Sequence, residues 1–142
     1  MKTYIVIYNK NSRGKKYTKT DLELIFSSHD LNSEIFVTSD VKEVDLVIKK
    51  YKNSKDYVFC AIGGDGTLNS LINSLLMNNI KNPEVACLAS GSGSDFLRTF
   101  AMPNDINQAL LRIKKNQNYS VDVSLIESKS NSRYFINVLN YG

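Results

Sequence analysis

The chain has 142 residues, the length of one ordinary domain at roughly 100–200 residues each, and enough to bury a core without disulfide or metal support. Apolar residues at 42% and charged residues at 23% argue against a disordered tail. The longest apolar runs, Ile5–Tyr8 and Tyr57–Ile62, fall far short of the roughly 20 residues of a membrane span. The net charge is +4, and fourteen of the eighteen basic residues are lysines scattered among Asn and Ser, so no nucleic-acid stripe is expected.

The chain alternates between β-rich and helical stretches. Thr3–Tyr8 reads as a buried strand and Asn9–Lys16 as the polar loop after it. Thr20–Ser28 is helical, with Thr20 or Asp21 as N-cap candidates. Glu34–Thr38 is a second strand. Val41–Tyr51 is a helix, with Val44, Val47, Ile48 and Tyr51 at helical spacing. Tyr57–Ile62 is continuously apolar, hence a strand buried on both faces.

Thr67–Met77 is expected to be a helix with Leu68, Leu71, Ile72, Leu75 and Leu76 facing the core. Glu84–Ala89 is a fourth strand. Ser94–Phe100 and Asn104–Lys115 read as helices divided by Pro103. Tyr119–Glu127 and Arg133–Leu139 then read as a hairpin. Residues 1–116 thus follow a β-α-β-α-β-α-β-α order. That implies an α/β, Rossmann-like fold, with a mostly parallel sheet and helices on both faces.

Cys60 and Cys87 sit in apolar runs and read as small buried hydrophobes rather than a disulfide or metal pair. His29, the single histidine, leaves no His-rich metal site and no evident Ser-His or Cys-His couple. The N-terminus carries no signal-peptide pattern, which makes a cytoplasmic location the default.

In open parallel sheets, ligands bind beyond the carboxyl ends of the strands. Three loops there are unusual. Gly63-Gly64-Asp65-Gly66-Thr67 has three glycines in four residues and opens a helix, an arrangement suited to phosphate. Asp65 would repel phosphate unless it holds Mg²⁺, orients a group or takes a proton. A tight Asp-Gly turn is the plain alternative, but it needs one such glycine and not three. Ser90-Gly91-Ser92-Gly93-Ser94-Asp95 has the same composition, although Ser94 or Asp95 could simply cap a helix. Asn9–Lys16 offers Asn9, Ser12, Gly14 and several cations, and reads equally as a solvated basic loop. Neither glycine loop matches the Walker pattern, and the second lacks the third glycine of the dinucleotide fingerprint.

Gly63–Asn69 (GGDGTLN) followed by Ser90–Phe100 (SGSGSDFLRTF) resembles the diacylglycerol kinase catalytic domain family. Its relatives include sphingosine and ceramide kinases and, at greater distance, NAD kinases and phosphofructokinases. The order and spacing resemble the soluble bacterial diacylglycerol kinase and YegS-like branch. The resemblance implies an ATP-dependent lipid kinase that moves the γ-phosphoryl group to a lipid hydroxyl with Mg²⁺. It implies Asp65 as the catalytic residue. It implies nucleotide contacts from Asn9, Ser12, Gly14, Thr38, Gly63, Gly64, Gly66, Thr67, Asn69, Gly91, Ser92, Gly93 and Asp95, with Arg98 in the second loop.

Departures from the family pattern are Lys10 for proline, Arg13 for glycine, Ser70 for glutamate, Ser92 for threonine and Ser94 for asparagine. Diacylglycerol is the implied lipid, with transient contact to a membrane surface. Phe135–Gly142 resembles the element that opens the family's second, β-rich domain. Residues 117–142 are therefore expected to begin a truncated second domain, one that would hold the general base and a structural metal. The chain is expected to be inactive or weak by itself, and its hairpin edge able to drive homodimerisation. A NAD kinase-like enzyme and a catalytically silent nucleotide-binding regulatory module are the alternatives.

Overall fold

The structure is a computed structural model and describes residues 2–12, 14, 16–51, 56–88, 105–115, 123–128 and 131–136, the last two segments as backbone. Four strands form a parallel sheet: β1 (Thr3–Asn9), β2 (Asn32–Thr38), β3 (Tyr57–Ile62) and β4 (Glu84–Leu88), in the order β2-β1-β3-β4. Helices α1 (Lys19–Ser28), α2 (Val41–Lys49) and α3 (Asp65–Met77) connect them, and α4 (Ile106–Lys114) follows β4. β5 (Val123–Ser128) and β6 (Asn131–Ile136) form an antiparallel hairpin, and β6 lies against α3. The expected α/β class and mostly parallel sheet are present, while residues 119–122 and 137–139 of the expected hairpin lie outside the described residues.

The central strands explain the two-sided burial. Along β1, Ile5 and Ile7 face one layer, where α2 and α3 contribute Val44, Val47, Ile48, Leu68, Leu71, Ile72 and Leu75. Tyr4, Val6 and Tyr8 face the other, against Leu22 and Phe26 of α1 and Ile106, Ala109 and Leu110 of α4. β3 repeats the alternation, with Phe59 and Ala61 on one side and Val58, Cys60 and Ile62 on the other. Side chains alternate across a strand, so a run apolar at every position is the signature of a strand covered twice. Each large side chain buried in these layers contributes about 1.5–3 kcal/mol.

The two cysteines follow the same rule. Both are free and buried. Cys60 lies in the α1–α4 layer and Cys87 in the α2–α3 layer, so the sheet itself separates their thiols. Burial pushes the Cys60 thiol well above its ordinary value, with a further rise from Cys87.

Helix starts differ from the periodicity reading, for local reasons. α1 begins at Lys19, capped by Thr18 rather than by Thr20 or Asp21. The Thr18 side chain accepts from the Asp21 N–H at 3.0 Å, and Asp21 accepts from the Thr18 N–H at 2.9 Å. This reciprocal pair is a capping box with aspartate in the third position. α3 begins at Asp65, two residues before the expected Thr67, with Gly64 as N-cap. It ends at Asn78. Asn79 takes a left-handed φ of 60°, and the Ile80 N–H reaches back to the Leu75 carbonyl at 3.0 Å, which closes the helix. β2 starts at Asn32, not Glu34, because β1 pairs with it from Thr3 onward. α4 is capped by Asp105, whose carboxylate accepts from the N–H groups of Asn107 and Gln108.

Candidate functional site

Strand order makes the site. From β1 the chain moves to β2 on one side, then returns across to β3 on the other. The loops after β1 and β3 therefore diverge at the carboxyl end of two adjacent strands, the point where such sheets open a crevice. Tyr8 pairs with Ile62 in register, so Asn9 and Gly63 stand side by side one residue further on. On the other side, Asn9 pairs with Thr38.

The glycine turn is fixed from within. The Gly63 N–H donates to the Leu88 carbonyl at 3.2 Å, which ties the turn to the end of β4. Gly63 has φ +155°, and a Cβ placed on it would stand 2.5 Å from the Thr67 hydroxyl oxygen. Here glycine is required by the protein's own threonine. Gly64 and Gly66 differ, because a Cβ on either would meet nothing within 4 Å. Their open side is space a ligand can use. Thr67 is buried at 6% exposure, behind the turn rather than on its open side.

α3 starts at this turn, so its first N–H groups and positive dipole end lie at the crevice. Asp65 occupies the first turn of α3, and Asn69 lies one turn further along the same face. The Asn69 carbonyl accepts from the Asn73 side chain at 2.8 Å. Beneath the turn, burial pushes the Cys87 thiol up to about 12, with the Asp65 charge adding to the rise. The Asp65 carboxylate is thus close enough to the end of β4 for its charge to be felt by Cys87.

The loop after β1 is stitched to itself. The Asn9 carbonyl accepts from the Ser12 N–H at 3.1 Å and the Ser12 hydroxyl at 2.8 Å. The Asn9 side chain accepts from the Asn11 N–H at 2.9 Å. Gly14 takes φ +102°, a conformation that favours glycine. The Lys10 N–H donates to the Thr38 carbonyl at 3.0 Å, and the buried Thr38 hydroxyl donates to the Tyr8 carbonyl at 3.5 Å. Sequence reasoning missed two residues here. The Tyr8 hydroxyl accepts from the Tyr17 N–H at 3.2 Å and fixes the loop's exit. The Lys16 ammonium donates to the carbonyls of Lys10 and Ser12. A tyrosine closing the apolar run Ile5–Tyr8 was the available signal for the first.

Asn9, Ser12, Gly14, Thr38, Gly63, Gly64, Asp65, Gly66, Thr67 and Asn69 thus all lie at the carboxyl end of the sheet or in the first turns of α3. Gly91, Ser92, Gly93, Asp95 and Arg98 lie outside the described residues, as does the expected helix Ser94–Phe100. Among the described residues no three His, Cys, Asp or Glu side chains come together as a metal cage. A magnesium ion needs no such cage, since it is commonly held by one or two carboxylates together with phosphates. Asp65 is the acidic group of the glycine turn.

Comparison with known proteins agrees with this architecture. Residues 3–126 match the family model described as "Diacylglycerol kinase catalytic domain". Diacylglycerol kinases of Staphylococcus aureus strains JH9 and Newman are each 30% identical over 136 residues, covering 94% of this chain and 41% of their own length. The chain therefore spans about two fifths of these relatives. The crystal structure of a diacylglycerol kinase from Bacillus anthracis str. Sterne superimposes with a TM-score of 0.66 at 24% identity, covering 86% of this chain and 46% of that one, a likeness of fold. With a family model matched from the first strand to β5, over a sheet whose switch point carries the glycine turn, the chain belongs to the diacylglycerol kinase catalytic domain family.

Proposed function

We propose that this chain holds ATP with Mg²⁺ for transfer of the γ-phosphoryl group to a lipid hydroxyl, diacylglycerol being the favoured acceptor. The observation that carries this reading is the turn Gly63–Thr67. It sits at the switch point, opens α3, and leaves Gly64 and Gly66 unobstructed. Phosphoryl transfer is mostly positioning plus charge neutralisation, and this crevice supplies both.

In this reading the N–H groups at the start of α3 donate to phosphate oxygens, which can approach because two Cβ atoms are missing. The loop of Asn9, Ser12 and Gly14 forms the facing wall. Asp65 orients the metal or the acceptor hydroxyl, and Thr67 and Thr38 act from behind by fixing the backbone. Bound Mg²⁺ would offset the charge that builds on the transferring group. Residues 1–116 form the nucleotide-holding unit.

Calorimetric titration with ATP, with and without Mg²⁺, tests the reading. Saturable binding is expected, and Asp65→Asn should lose most of the Mg²⁺ enhancement. A chain that is folded yet shows no saturable ATP binding would overturn it. The transfer step is checked with Mg²⁺, ATP and diacylglycerol, where Asp65→Asn should abolish most of whatever turnover the unsubstituted chain supports.

A further inference from the structure

The amino end of the sheet carries a pocket of its own. The starts of β1 and β2 and the C-terminal ends of α1 and α4 surround a space of about 190 Å³. β1 has seven residues at about 3.3 Å each, so this pocket stands roughly 20 Å from the crevice. Leu31 and Ile113 form its apolar walls, and both pack on the layer that holds Tyr4.

Its polar lining is rich in donors. Lys2 and Lys114 each bring an ammonium with three N–H groups. Lys2 spends one on Glu84 at 2.6 Å, and Lys114 spends one on the His29 carbonyl at 2.9 Å. Asn32 gives one amide hydrogen to the Thr3 hydroxyl at 3.1 Å and keeps the other. Asp30, the carboxylate of the lining, stands 3.7 Å from the Lys114 ammonium, with its side chain 91% exposed. Tyr4 is the unusual member. It is only 9% exposed, yet among the described residues nothing hydrogen-bonds its hydroxyl. No side-chain oxygen sealed from solvent lacks a partner, so this hydroxyl is open to the pocket it lines. A hydroxyl so placed normally has a partner. Burial pushes it above its ordinary value, Cys60 adds to the rise, and the Lys2 charge opposes it. The Lys2 ammonium is therefore felt at the Tyr4 ring.

The geometry points to a second binding site, at the end of the sheet away from the crevice, for a small phosphate-bearing anion held by Lys2, Lys114, Asn32 and the Tyr4 hydroxyl. A phosphate accepts several hydrogen bonds at once, and those from ammonium groups are the strong kind. The pocket is smaller than the roughly 300–1,000 Å³ of drug-sized ligand sites. It admits a phosphate with a short stem along Leu31 and Ile113, and it excludes a nucleotide. This inference stands apart from the nucleotide reading, since it shares no residue with the crevice.

The test is backbone NMR of the full chain, titrated with inorganic phosphate and, separately, with glycerol 3-phosphate, in about 0.15 M salt to screen loose surface pairing. Saturable shifts are expected at the N–H groups of Leu31, Asn32 and Lys114. Tighter binding of glycerol 3-phosphate marks an esterified ligand and tighter binding of phosphate a free one; either supports the site. Tyr4→Phe keeps the ring and its contact with Phe26, and should weaken binding about threefold to tenfold. Lys114→Met should weaken it about tenfold. Shifts that never saturate, shifts confined to Gly63–Thr67, or unchanged affinity in either variant overturn the inference.

Discussion

The Thr67 side chain occupies the space that a Cβ on Gly63 would need, with its hydroxyl oxygen 2.5 Å and its own Cβ 3.0 Å from that position. Thr67 is buried and belongs to the first turns of α3, so it has little room to move. Gly63→Ala should therefore cost about 1–3 kcal/mol, as overpacking in a closed site does. Chemical denaturation checks this. Thr67→Ala removes the nearest atom, so the double variant should be less destabilised than the sum of the two singles.

Gly66→Ala should behave in the opposite way. Gly66 lies in the first turn of α3 with open space where the Cβ would go. Alanine is the better helix former by up to about 1 kcal/mol, so stability should hold or rise slightly. The added methyl faces the side proposed for phosphate, so ATP affinity should fall severalfold. Melting curves and calorimetry on one preparation would show the two effects moving apart.

Asp45 on α2 joins two helices. Its carboxylate accepts from the Ser74 hydroxyl and the Asn78 amide, each at 2.8 Å, and pairs with Lys49 at 3.0 Å. The Lys49 and Asn78 contacts hold its carboxyl below the ordinary 3.8. A depressed folded value means that the stabilisation is complete above the unfolded value and is lost as pH falls through the folded one. The stability gap between the native chain and Asp45→Asn should therefore be steady near neutrality and shrink below pH 3.8. Asp45→Ala strands the buried Ser74 hydroxyl and should cost about 1–2 kcal/mol. Urea denaturation over a pH series measures both.

Neither cysteine should react with a thiol reagent in the folded protein. Reaction needs thiolate and access, and burial withholds both, Cys87 being pushed up to about 12. In denaturant both thiols should titrate. Rapid labelling of one thiol under native conditions would contradict the layer assignment of that cysteine.

Much of this architecture was legible in the sequence because it rests on short-range pattern. Thr3–Tyr8 and Tyr57–Ile62 are apolar at nearly every position, and only a doubly covered strand tolerates that. The helix starts were less legible. Leu22 opens the apolar cluster of α1, but the capping pair Thr18–Asp21 begins four residues before it. Glycines at the start of α3 have poor helix propensity, which hides the helical geometry of Asp65 and Gly66.

The glycine turn announced its chemistry but not its division of labour. That Gly63 answers to Thr67, while Gly64 and Gly66 face open space, is visible only in three dimensions. The Asp45–Ser74 bond links residues 29 apart in sequence, beyond any helical period. The Tyr8–Tyr17 contact crosses a whole loop and has no sequence signature beyond the two tyrosines themselves.

The placement of β1 has a consequence for how the molecule is made. β1, which precedes β2 and β3 along the chain, is an interior strand flanked by both. Until Tyr57–Ile62 exists, β1 has one unpaired edge, and Ile5 and Ile7 lack most of the layer that later covers them. An emerging chain that has completed only β1, α1 and β2 presents an open, sticky margin. The edge of β1 is covered by the strand that leads directly into Gly63, so it is paired just as the glycine turn is reached, and the open margin passes to β3 until β4 joins it.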